Sequence, residues 1–183
     1  FQHSPFLAAA GLIDEAGEVR FSVGKLSFFS VEVNSYFASV AADFIRQKLL
    51  ATRVTFTFET VMSHPDKVEL LHKAQQSGFR TYLYYVATED PEINISRVEN
   101  RVSSGGHPVP RDKIIERYHR SLDLLAEAVQ HTDRAYIFDN SSHEKVWVAE
   151  ITGGDDLEMK TDTMPHWFKL ALWDKFVPPE EFA

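Results

Sequence analysis

The chain of 183 residues contains no cysteine. This excludes disulfides, thiolate nucleophiles and cysteine-ligated metals, and it is compatible with a reducing compartment, so a cytoplasmic location is expected. No apolar run approaches the roughly eighteen residues needed to cross a bilayer, and no membrane partner is expected. Basic residues are few: 19 Lys and Arg against 27 Asp and Glu give a formal net charge of −8, with a pI near 5.5. Nucleic-acid phosphates demand a broad basic surface, so no nucleic-acid partner is expected either. The eight histidines, His3, His64, His72, His107, His119, His131, His143 and His166, form neither H-x-x-x-H nor H-E-x-x-H, and no metal site is expected. The nucleophile elbow G-x-S-x-G is missing. So is the phosphate-binding pattern G-x-x-x-x-G-K-[ST]: its nearest imitation, Gly24-Lys25-Leu26-Ser27, has Val19 where the first glycine belongs and Leu26 after the lysine. The first residues, FQHSPFLAAAGLI, lack the basic stretch and cleavage site of a signal peptide.

What the chain does have is core material, 44% apolar and 13% aromatic residues. Residues 34–51 place Phe37, Val40, Ala41, Phe44 and Ile45 at three- and four-residue steps behind a candidate N-cap, Asn34, which predicts an amphipathic helix. VTFTFE, residues 54–59, alternates as a strand does. Ser63 and Asp66 have capping-box spacing and Gly78 sits at a C′ position, predicting a helix over 64–77. FRTYLYYVA, 79–87, is apolar nearly throughout, as in a strand of a parallel sheet. Helices over 91–103 and 111–131 lead to RAYIFD, 134–139, a further strand. Strands 54–59, 79–86 and 134–139 joined by helices predict an α/β fold of three layers, a parallel sheet with helices on both faces. KVWVAEI, 145–151, reads as an antiparallel addition, 153–156 as a turn, and 165–176 as a closing helix. The expected organisation is a segment of unknown role over 1–33, an α/β domain over 34–142, and a small extension over 143–183 packed on that domain.

In such a fold ligands sit beyond the carboxyl ends of the strands, which points to Glu59, Thr60 and Ser63 and to Thr88 to Asp90. Glu59 ends an uncharged strand, where it either meets a substrate hydroxyl or simply reaches solvent. Thr60 is alternatively a turn residue and Ser63 a helix cap. Between Arg97 and Arg120 lie six of the nineteen basic residues in twenty-four positions. Arg97 and Arg101 are spaced i, i+4; Lys113, Arg117 and Arg120 are spaced i, i+4, i+7. With Gly105-Gly106 between them, the two sets form either a hinged arginine lid over a phosphate chain or a solvated, salt-bridged helical pair.

The ordered series FTFETVMSHPDKVELLHKAQQSGFRTYLYYVATEDPEINISRVENRV and GGHPVPRDKIIERYHRSL resembles the zeta toxin group of phosphate-loop kinases over roughly residues 34–142. The resemblance implies a phosphate-loop kinase-like fold with a helical arginine lid at about 97–120. It also implies an ATP- or GTP-dependent, Mg2+-requiring transfer of a phosphoryl group to a hydroxyl of a small molecule, such as a nucleotide sugar, with an antitoxin as a potential protein partner. The matching residues are Arg97, Arg101, Arg117 and Arg120 for nucleotide phosphates and Glu59 for the acceptor, with Thr60 and Ser63 acceptor-side candidates only from their place after the expected strand. Members carry the lysine-bearing phosphate loop and a catalytic aspartate upstream of the matched region. The expectation is therefore a carboxy-terminal part of a longer kinase, with a non-catalytic nucleotide or phosphometabolite binding module as the alternative.

Overall fold

The computed structural model describes residues 1–176, which divide into two compact units, one over Phe1–Phe58 and the other beginning at Glu59. The division falls inside the 34–142 segment.

In the first unit, helices α1 (Pro5–Ala9) and α2 (Ile13–Gly17) and a hairpin of β1 (Arg20–Ser22) and β2 (Lys25–Ser27) precede the long helix α3 (Ser35–Ala51). Asn34 caps α3 as the sequence requires, its side-chain oxygen accepting from the Tyr36 and Phe37 amides at 3.0 and 3.2 Å. Leu7, Ala16, Val31 and Phe37 form the core, with Val40 packed against them. The apolar stripe of α3 is used only in part, because Phe44 and Ile45 stay more than half exposed. The hairpin turns on Val23 and Gly24, both with positive φ, as the inverted two-residue turn demands. Val23 is a poor choice there, since a branched side chain crowds the left-handed backbone.

The second unit runs α4 (Asp66–Gln76), β3 (Tyr82–Ala87), α5 (Pro91–Ser103), α6 (Arg111–Asp123), α7 (Leu125–Gln130), β4 (Arg134–Asp139), β5 (Val146–Thr152) and β6 (Asp156–Met159). It closes with α8 (His166–Phe168), a π-helical stretch (Lys169–Trp173) and α9 (Asp174–Phe176). The sheet order is β3-β4-β5-β6. β3 and β4 are parallel, joined by a helical crossover, and β5 and β6 continue antiparallel. At the amino ends of the parallel pair, Asp133 accepts from the Thr81 amide at 2.7 Å and its hydroxyl at 3.1 Å. A bulge shifts register so that Ile137 faces Ala149 while Phe138 faces Trp147, and Val148 and Ala149 are both fully buried. Tyr85, Ala87, Ala135, Ile137 and Ile151 pack in one core with Val68, Leu125, Val129, Trp167 and Phe168. The opposite strand positions are open: Tyr84 is 67% exposed, and it stacks on Tyr136 with centroids 4.8 Å apart.

Four expectations change. Residues 54–59 form no strand. Alternation favours extended backbone, and the Phe56 and Phe58 rings do stack at 6.1 Å. A strand also needs a neighbour for its amides and carbonyls, and none pairs with this segment among the described residues. The parallel three-layer sheet is instead a mixed sheet in the second unit, with one strand face in the core and the edge of β3 away from β4 unpaired among the described residues. The helix expected over 111–131 is two helices meeting at Leu124, and α4 begins after Pro65 with no side-chain cap from Ser63. The antiparallel addition, the Gly153-Gly154 turn and the closing helix lie where expected, while 177–183 of the proposed extension lie outside the described residues.

Two stability outcomes follow from this packing. Val23→Asn should stabilise the first unit by about 0.5–1 kcal/mol in thermal unfolding, because Asn tolerates positive φ; a lower melting temperature would contradict that turn. Tyr85 and Ser121 share a buried hydrogen bond of 3.0 Å between β3 and α6. Ser121→Ala should therefore cost about 1–3 kcal/mol in urea unfolding, and adding Tyr85→Phe should restore most of it, since the unsatisfied hydroxyl carries the penalty.

Candidate functional site

At the carboxyl ends of β3 and β4 the chain gathers polar groups from four elements. Asp90 caps α5 through the Glu92 amide at 2.8 Å, with Pro91 preset in the first turn, so α5 starts directly above the end of β3. One turn into that helix, Asn94 donates to the Thr88 hydroxyl at 2.9 Å, and one turn further Arg97 donates to the Asn140 carbonyl at 2.6 Å. From α6, the Tyr118 hydroxyl donates to the carbonyls of Thr88 at 2.9 Å and Glu89 at 3.1 Å. Partial burial, reinforced by the nearby carboxylates of Glu89, Asp90 and Asp139, pushes the Tyr118 pKa up to about 12. It stays a neutral donor at neutral pH.

β4 ends in a second knot. The Asp139 carboxylate accepts from the Ser141 amide at 3.0 Å, the Ser141 hydroxyl at 2.8 Å and the Trp167 indole at 2.6 Å. Trp167 is only 3% exposed, so its N–H requires such a partner. The Ser141 oxygen in turn accepts from the Glu89 amide at 2.7 Å, tying the two strand ends together.

The four lid arginines share no common protein partner. Arg97 lies on Asn140, and Arg101 reaches the His107 carbonyl at a marginal 3.5 Å. Arg120 is engaged by Glu116, which also takes Lys113 at 2.8 Å. Arg117 is exposed and has no hydrogen bond or ion pair among the described residues. The helix starts are clasped by Arg111 and Glu92. Between them Gly105 and Gly106 close α5, their amides returning to the Val102 and Arg101 carbonyls at 2.9 Å each. Gly105 has φ +89°, and a Cβ on Gly106 would lie 2.7 Å from the Arg101 Cγ, so both positions require glycine. The cluster is thus part salt-bridged pair, at Arg111, Lys113 and Arg120, and part uncommitted cation, at Arg97, Arg101 and Arg117.

Glu59 is exposed, starts the second unit and has no partner among the described residues. With no strand beneath it, the strand-end argument for this acid falls away. Thr60 acts as a turn residue, accepting from the Met62 amide at 3.2 Å, and Met62 is buried with φ +54°. Ser63 is half-buried. Asn94, Tyr118, Asp139, Ser141 and Trp167 were missed in the sequence. Asp139 was within reach, since the carboxyl-end rule that selected Thr88 to Asp90 applies equally to strand 134–139.

The donor set suits phosphate oxygens, which match guanidinium forks. No group of three His, Asp or Glu able to hold a metal by itself occurs among the described residues, and magnesium in phosphoryl transfer takes one or two carboxylates beside the phosphates of the nucleotide. No described helix is long and apolar enough to cross a membrane.

The family model described as Zeta toxin matches residues 29–152, about two thirds of the chain. An uncharacterized protein of Haemophilus influenzae is 32% identical over 65 residues, which cover 36% of this chain and 46% of that protein. The match therefore spans less than half of that relative's length. No solved structure matches. The zeta toxin family has a phosphate-loop kinase-like, nucleotide-binding scaffold, and helix α5 with its arginines over the strand ends lies inside the matched stretch. On that match, the chain belongs to the zeta toxin family.

Proposed function

We propose that the chain supplies the arginine lid and acceptor side of a nucleotide-dependent phosphotransferase acting on a hydroxyl of a small molecule, such as a nucleotide sugar. ATP or GTP is the phosphoryl donor. One observation carries the reading: Asn94 and Arg97, on one flank of α5, both reach the carboxyl ends of the parallel strands, where an α/β sheet receives its ligand. Arg101 continues that flank a turn later. Phosphoryl transfer is mainly positioning and neutralisation of charge spread over phosphate oxygens, and guanidinium groups do both. Arg97, Arg101 and Arg117 have no carboxylate partner among the described residues to give up before taking phosphate, whereas Arg120 must first leave Glu116. The glycine-rich cradle has no counterpart among the described residues. The edge of β3, unpaired among them, supports a further strand there, which would bring such a cradle beside Thr88. Glu59 is assigned to the acceptor on the family resemblance, as is an antitoxin partner; Thr60 and Ser63 are placed there only as its neighbours in the chain.

Nucleotide titration calorimetry on the full-length protein tests the lid. Arg97→Ala, Arg101→Ala and Arg117→Ala should each weaken ATP or GTP binding by about 1.5–3 kcal/mol, Arg120→Ala by less, and Arg111→Ala hardly at all. Equal, negligible effects at all five positions would reduce the cluster to a solvated face. On the acceptor side, Glu59→Gln should lower phosphotransfer severalfold with unchanged nucleotide affinity and melting temperature. Undiminished turnover would remove Glu59 from the site, and nucleotide binding without any turnover by the wild type would favour the binding module.

A further inference from the structure

We infer that the Asp139-Asn140-Ser141 turn is the positioning device for Arg97, with Asp139 acting on the nucleotide through the backbone carbonyl of Asn140. The inference rests on the phosphate role proposed for Arg97. A free arginine side chain samples many rotamers, and fixing one in advance lessens the entropy lost when an anion binds. Here one amino group of the Arg97 guanidinium is held on the Asn140 carbonyl at 2.6 Å. Because the guanidinium is planar with five N–H donors, pinning one fixes the direction of the others and leaves a fork for phosphate.

That carbonyl is in turn fixed from both sides. The Asn140 amide donates to the Ala87 carbonyl at 2.8 Å, continuing the ladder with β3 one step beyond the last strand residue. On the other side, Ser141 is bound twice by the Asp139 carboxylate, and its hydroxyl receives the Glu89 amide. Asp139 is itself oriented by the buried Trp167 indole. The chain of contacts runs from the core, through one carboxylate and one turn, to the guanidinium. Asp139 is thus a positioning residue that reaches the guanidinium through the turn.

A double-mutant cycle on the full chain, with ATP as the probe and calorimetric affinity as the readout, separates positioning from general support. Asp139→Asn and Ser141→Ala should each weaken ATP binding about fivefold or more in the wild-type background, and neither should weaken it further in an Arg97→Ala background. Ser141→Ala keeps the bond between Trp167 and Asp139, so it reads the same coupling if Asp139→Asn fails to fold. Losses that simply add to that of Arg97→Ala, or no loss while Arg97→Ala weakens binding, would overturn the inference and leave the lid reading standing. No effect from Arg97→Ala itself, or no ATP binding by the wild type, would overturn both.

Discussion

The parallel pairing of β3 with β4 is the constraint on which the second unit depends, and an aspartate closes it at each end. Asp133 fastens Thr81 at the amino ends, and Asp139 with Ser141 fastens Glu89 at the carboxyl ends. Parallel strands are distant in sequence and have no tight turn to set their register. Asp133 bonds directly across to Thr81 with charge assistance, while at the other end the Glu89 amide crosses to the Ser141 hydroxyl that Asp139 holds. With six residue pairs in register from Tyr82 with Arg134 to Ala87 with Asp139, alternate side chains enter the core and the strand ends finish level. That level edge lets Asp90 start α5 and lets Arg97 meet Asn140.

Charge sets the character of this edge. The protein carries net negative charge, yet the lid segment carries cations whose mutual repulsion is relieved at only some positions. Glu92 and Glu116 take up Arg111, Lys113 and Arg120, which are exposed pairs of small energetic value. The remaining guanidiniums rest on carbonyls or on nothing, and a neutral carbonyl is a weaker acceptor than a phosphate oxygen. A phosphorylated ligand therefore displaces little when it arrives. Tyr118 and Asn94 meanwhile keep the lid helices on the strand ends with neutral groups, so they do not compete for the anion.

Local signals were legible in the sequence and non-local ones were not. Asn34 and Gly78 begin and end helices through bonds to their own neighbours, so their roles could be read from spacing. Gly105-Gly106 marked the break between the lid helices for the same reason. Strand 54–59 failed because pairing is a property of two segments, and periodicity describes one. The parallel layer shrinks for the same reason to β3 and β4, while the antiparallel addition at β5 was legible. The arginine cluster was visible as composition, but which cations are committed depends on Glu92, Glu116 and Asn140. Asn140 lies 43 residues from Arg97 and contributes only backbone, so no side-chain pattern records it. The polar ends of Tyr118 and Trp167 gain meaning only beside Thr88 and Asp139, which are distant in sequence.

The central claim is that phosphate binds at the carboxyl edge beneath α5. The most direct measurement is amide and arginine side-chain chemical-shift mapping of the isotope-labelled protein during ATP titration. Saturable shifts are expected at Thr88, Glu89, Asn140 and the Arg97 and Arg101 guanidiniums, with Gly153 at the opposite end of the strands silent. Saturable shifts confined to residues away from this edge, with Arg97 and Asn140 unchanged, would contradict it.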